Sequence, residues 1–186
     1  IHVVWGDKED VYYSTRDLTG NWTQPWKINM LAFPAYEPSL SYKGDKLYCV
    51  WIEENTVTGK KRIAWQEGWL ALPPEIRWAY TYPSYMEVDG DPHHPRMVEG
   101  TYLLFEMDGK VYLTDTTGNV IFTDKGYGPQ AQYHDGEVHL VYGKTHGCEI
   151  LTNTWISMAE IPFIAVKIGD SIPSPYVIER DGYLVY

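Results

Sequence analysis

The chain has 186 residues, enough for one domain with its own core, and its formal net charge of −10 speaks against a nucleic-acid backbone or an anionic membrane surface as partner. Its 8 Trp, 16 Tyr and 4 Phe favour strands, and also surfaces that bind flat, half-polar ligands such as glycans. No apolar run reaches the length of a membrane-spanning helix, and the chain starts at Ile1, so the expectation is a processed chain or an excerpt of a longer one.

In chain order, the first element is HVVW, ending at Trp5, followed by the alternating strand DVYYSTRD and a turn-forming cluster from Asp17 to Asn21. Trp22 follows that turn directly. Next comes PSLSYKGDKLYCVW, a Pro, a short alternating run, a polar Gly-containing turn and a run closing at Trp51, then the strand KRIAWQEG. Cys49 lies inside the apolar run, where a buried free thiol is expected. An aromatic insertion, RWAYTYPSYMEV, precedes DGDPHHPR and the next copy of the unit, PRMVEGTYLLF, ending at Phe105. KVYLTDTT and NVIFTD follow. PQAQYHDGEVHLVY closes at Tyr142, EILTNTWI and FIAVKI come after it, and PYVIERDGYLVY closes at Tyr186.

The steps from Trp5 to Trp51, Phe105, Tyr142 and Tyr186 are 46, 54, 37 and 44 residues. Repeats of that size, each with three or four short strands and no helical period, predict an all-β chain. The predicted architecture is a β-propeller of four-stranded antiparallel sheets over 1–186, about five of them, or part of a larger propeller. Trp5, Trp51, Phe105 and Tyr142 are then expected to be buried at equivalent positions, with Pro38, Pro95, Pro129 and Pro175 opening the innermost strands. Further chain segments or subunits could complete the ring.

The opening turn carries a resemblance. Ser14, Asp17, Gly20, Trp22 and Thr23 resemble the Asp-box of sialidase-type propellers, Ser-x-Asp-x-Gly-x-Thr-Trp, with one extra residue between Ser14 and Asp17 and with Thr23 after the Trp. The resemblance covers roughly the first 30 residues. It implies a fold-stabilising turn between third and fourth strands, with Trp22 packed between neighbouring sheets. It also implies that sialidase activity would need three arginines around a substrate carboxylate. Of Arg16, Arg62, Arg77, Arg96 and Arg180, only Arg96 has the right place in the repeat, so that activity is not expected. MVEGTYLLF also resembles the Glu-Gly segment of arabinanase-type propellers, although the internal repeat accounts for it.

In a propeller the loop entering each first strand sits at the mouth of the channel. The repeat therefore nominates Tyr36 and Glu37, then Asp91, His93, His94 and Arg96, then Tyr127 and Gln130, and finally Ser174. Two readings compete. In one, Tyr36, Glu37, His94, Arg96, Tyr127 and Gln130, with the insertion aromatics Trp78, Tyr80, Tyr82 and Tyr85, bind a glycan or other neutral polar ligand without cleaving it. In the other, Glu37 and Asp91, with Glu99 as third candidate, act as the acid and base of a glycoside hydrolase. A structural propeller in an extracellular or cell-surface assembly is the third possibility. No cofactor is expected. No metal is expected either, since adjacent histidines on a strand point to opposite sides and Asp89-Gly90-Asp91 lacks the later calcium ligands. Asn21-Trp22-Thr23 fits the glycosylation sequon.

Overall fold

The computed structural model describes residues 1–30, 32–70, 76–79, 82–134, 137–144, 147–153, 164–167, 178–180 and 183–185. Every regular element among them is a β-strand. The chain divides into two compact units, Ile1–Gly100 and Thr101–Tyr186.

The first unit contains β1 (His2–Gly6), β2 (Val11–Thr15), β3 (Trp26–Lys27), β4 (Ala35–Lys43), β5 (Lys46–Glu54), β6 (Lys61–Leu70), β7 (Ile76–Trp78), β8 (Ser84–Glu87) and β9 (Pro92–Val98). They form an antiparallel sheet β1-β2-β3 and a second sheet β4-β5-β6-β7, with β8 also paired to β6. The second unit contains β10 (Tyr102–Met107), β11 (Lys110–Asp115), β12 (Val120–Lys125), β13 (Tyr127–His134), β14 (Glu137–Lys144), β15 (Gly147–Asn153), β16 (Ile164–Lys167), β17 (Ile178–Arg180) and β18 (Tyr183–Val185). There β10, β11 and β12 are consecutive neighbours, β13-β14-β15-β16 is a four-stranded antiparallel sheet, and β17 pairs with β18. The short loops and strictly sequential order match the turn spacing of the sequence.

Strands central to a sheet are buried on both faces, which is why LYCVWI reads as a continuous apolar run. Leu47, Cys49 and Trp51 of β5 join Val11, Tyr13 and Ile28 in one core, while Tyr48, Val50 and Ile52 are buried on the opposite face. Cys49 is a free thiol whose pKa is pushed well up by burial. Trp51, Phe105 and Tyr142 are buried as the repeat predicts. Trp5 departs from the pattern at 37% exposure. It lies on an edge strand, stacked on the ring of Tyr12 at 5.7 Å.

Among the described residues, an ion pair enters the core. The carboxylate of Glu53, fully buried, accepts hydrogen bonds from the Trp51 indole at 2.9 Å and from Arg62 Nε and Nη2 at 2.8 and 2.6 Å. Arg62 is itself held between Phe33 and Tyr85, 4.9 and 4.2 Å from the ring centres. Burying both ions costs solvation that only such complete pairing offsets.

The turn between β2 and β3 forms as expected, on Asp17. Its Oδ1 accepts the backbone N–H groups of Thr19 and Asn21 and the Thr19 hydroxyl, its Oδ2 accepts the Asn21 amide, and Gly20 takes φ +96°. Ser14 and Thr23 close the strand ends by hydroxyl contacts. Trp22 is not packed between sheets. It is half exposed, bridged to Arg16 at the sheet margin with the guanidinium over its ring. The turn between β11 and β12 repeats the same bonds on Asp115, Thr117, Gly118 and Asn119, with Gly118 at φ +94°. Both turns read Asp-x-Thr-Gly-Asn.

The insertion after β6 divides the outer edge of that strand. β7 pairs with Gly68–Leu70 and β8 with Arg62–Trp65, and between them the Ala79 N–H donates to the Glu67 carbonyl. Trp78, expected at a binding surface, is instead core: it is 5% exposed and packs edge-on against Tyr13 at 5.2 Å. Tyr80 lies outside the described residues.

Candidate functional site

Pro38, Pro95 and Pro129 sit inside edge strands, not at their first residue. In β4 the register with β5 jumps between Tyr36 and Ser39, so that Glu37 and Pro38 bulge out. In β13 it jumps between Tyr127 and Gln130, releasing Gly128 and Pro129. Proline offers no ladder donor, and a bulge on an edge strand is where a sheet tolerates it. The residue before each proline is left-handed: Glu37 at φ +52°, His94 at +52° and Gly128 at +59°. Proline disfavours the right-handed region for its predecessor. Glycine takes the left-handed alternative freely; Glu and His do so at a cost of order 1–2 kcal/mol.

Within the first unit, β9 packs beside β4, with the Ser39 hydroxyl donating to the Pro95 carbonyl at 2.6 Å. That brings the two strained residues together. Glu37 Oε2 accepts the His94 backbone N–H at 2.6 Å, and Glu37 Oε1 lies 3.0 Å from His93 Nδ1. The other nitrogen of His93 is 3.5 Å from Asp91 Oδ2. Lys61 of β6 pairs with Asp91 and places its ammonium over the Tyr36 ring, 5.4 Å from its centre. Glu37, His93, Asp91, Lys61 and Tyr36 thus form one connected, part-exposed cluster. Among the described residues no His, Cys, Asp and Glu side chains group as a metal-ligand set.

Charge settles the cluster's ionisation. The Lys61 hydrogen bond holds the Asp91 carboxyl below its usual range, and Asp91 in turn raises Lys61. Burial raises the Tyr36 phenol. Arg96, on β9, has its basicity lowered by burial, and its Nε has no hydrogen-bond partner among the described residues.

Sequence reasoning named Tyr36, Glu37, Asp91 and His94, and all four meet here. His93 is nominated by the repeat as a channel-mouth position but is left out of the expected ligand contacts, yet its imidazole joins Glu37 to Asp91. The signal was available, because His93 occupies in HHP the place Tyr36 holds in YEP and Tyr127 in YGP. Lys61, at the start of an ordinary strand, carried no signal at all. Tyr127 and Gln130 belong to the second unit, where the Tyr127 ring lies against the backbone of Gly143 and Gly128 N–H donates to Glu106 at 2.8 Å. Ser174 and Pro175 lie outside the described residues. Glu99 stands in a hairpin turn at φ +54°, paired with Lys43 at 3.2 Å. The amide of Asn21, the sequon asparagine, donates within its turn to Asp17 and Thr19.

No family model matches the chain, and no curated protein does. Among solved structures, the chain is similar to the GH43 BlXynB protein from Bacillus licheniformis, at 12% identity and TM-score 0.43, over 89% of this chain and 40% of that one. A point mutant of the same protein matches at 11% identity and TM-score 0.44, over 98% and 47%. The chain spans less than half the length of these structures.

Proposed function

We propose that this chain is a β-propeller of about five four-stranded sheets, or part of a larger one, that serves as a non-catalytic, extracellular carbohydrate-recognition module. Its ligand is a neutral glycan held at the Tyr36–Glu37–His93–His94 cluster, with Arg96 as a further contact. The observation that carries this reading is the strained pair: Glu37 and His94, both left-handed and joined by a 2.6 Å hydrogen bond, hold a carboxylate in fixed orientation beside an aromatic ring. Strain of this kind persists where the surrounding structure enforces it, and it gathers at binding and catalytic sites. A half-polar aromatic face beside a few fixed acceptors and donors suits sugar hydroxyls.

Cleavage is less well supported. A glycosidase needs one protonated and one ionised carboxyl group with the scissile bond between them. Here the imidazole of His93 occupies the space between Glu37 and Asp91, and Lys61 keeps Asp91 ionised. The test is a glycan array probed with wild type, Tyr36→Ala and Arg96→Ala, followed by incubation with each glycan that binds. Binding by wild type that falls in both variants, with no release of reducing ends, supports the proposal. Release of reducing ends that Asp91→Asn abolishes would replace it with the hydrolase reading.

A further inference from the structure

We infer that the split edge of β6 forms a second carbohydrate site, which takes a single sugar ring of a neutral glycan by aromatic stacking. Trp65, Glu67 and Trp69 alternate along β6 and so share one face of the strand. At the place where β7 ends and β8 begins, a cleft of about 230 Å³ opens, lined by these three with Gln66, Tyr82 and Ser84. Drug-sized sites begin near ~300 Å³, so the space suits one ring and not a larger ligand. Trp65 is its buried member, whereas Trp69 and Tyr82 are 39% and 75% exposed.

The polar groups are fixed. Gln66 donates to the Ala79 carbonyl at 2.5 Å, and Glu67 holds Lys46 at 2.9 Å. The Lys46 ammonium lies over the Trp69 ring, 5.7 Å from its centre. A sugar presents C–H groups on one face and hydroxyls at its edge, and exposed aromatics beside anchored carboxylate, amide and hydroxyl groups complement both. A polyanionic ligand is disfavoured by Glu67 and by the net charge of −10. The site is separate from the β4–β9 cluster, so the two can be tested independently.

The experiment is titration of tryptophan fluorescence with xylohexaose, cellohexaose and mannohexaose on wild type, Trp69→Ala, Tyr82→Ala and Tyr36→Ala. The expected result is saturable binding of at least one hexasaccharide, with a component that Trp69→Ala and Tyr82→Ala each weaken about ten-fold and that persists in Tyr36→Ala. Tyr82 is mostly exposed, so its variant tests the cleft even if Trp69→Ala fails to fold. Binding lost only in Tyr36→Ala would confine the sugar to the β4–β9 cluster and overturn the inference. No binding by wild type, or equal binding by the Tyr82 variant, would overturn it as well.

Discussion

Glu53 is a fully buried, fully paired carboxylate in the second sheet. It satisfies an indole and a guanidinium, and Arg62 is stacked against two rings. Removing one partner of a buried pair leaves an uncompensated charge, which costs about 3–5 kcal/mol. Glu53→Ala should therefore lower the urea midpoint sharply, and the double variant Glu53→Ala/Arg62→Met should recover part of the loss. A residue-scale effect of opposite exposure sits at Asp115. The Thr117 and Asn119 hydrogen bonds pull its carboxyl down to about 2 from the ordinary 3.8. A depressed carboxyl stabilises the folded state above its unfolded pKa and stops doing so as pH falls through the folded one. Melting temperatures of wild type and Asp115→Ala should differ at neutral pH and converge between about pH 4 and pH 2. A gap that stays constant across that range would show that the carboxyl is not what holds the turn.

At the scale of the element, the proline bulge is the unit that repeats. Gly128 takes φ +59° with open space around the position of an added Cβ, so Gly128→Ala should cost only backbone strain, about 1 kcal/mol. Gly100 has a similar φ, but its added Cβ would strike the Tyr48 ring. Gly100→Ala should therefore lower the melting temperature clearly more than Gly128→Ala, and equal effects would mean the ring moves aside freely. The bulges also show how far the sequence could be read. Pro38, Pro95 and Pro129 marked the strands and the positions beside them, because proline leaves few places in a sheet. The left-handed turn of Glu37 and His94 was not legible, since non-glycine residues seldom take it and only Gly128 hinted at it. The aromatics were harder still. Trp22 and Trp78 exchanged the roles expected of them, because burial of a ring depends on which neighbouring strand covers it, and that is a tertiary fact.

For the molecule as a whole, the regular alternation made the all-β class and the sequential sheets legible, while the site was legible only at its prolines. Lys61 is 30 residues from Asp91 and meets it through packing that no local pattern encodes. The net charge of −10 has a further consequence for binding. A neutral glycan gains nothing from charge attraction, so its affinity should change less than about two-fold between ~0.05 and ~0.5 M NaCl. A steep salt dependence, measured by calorimetry, would point to an anionic ligand gripped by Arg96 instead.

The two Asp-x-Thr-Gly-Asn turns have one more consequence. In each, the amides after the aspartate lie on exposed residues yet donate to a carboxylate, at 2.9 and 2.8 Å in one turn and 2.9 and 2.9 Å in the other. Amides in exposed loops ordinarily exchange with deuterium almost at once. Those of Thr19, Asn21, Thr117 and Asn119 should lag, as slow protons on a fast surface. Because the two loops share their chemistry but belong to different compact units, any difference between their exchange rates measures the local opening of the strands that carry them. The protein thus contains a matched pair of clocks, one in each unit.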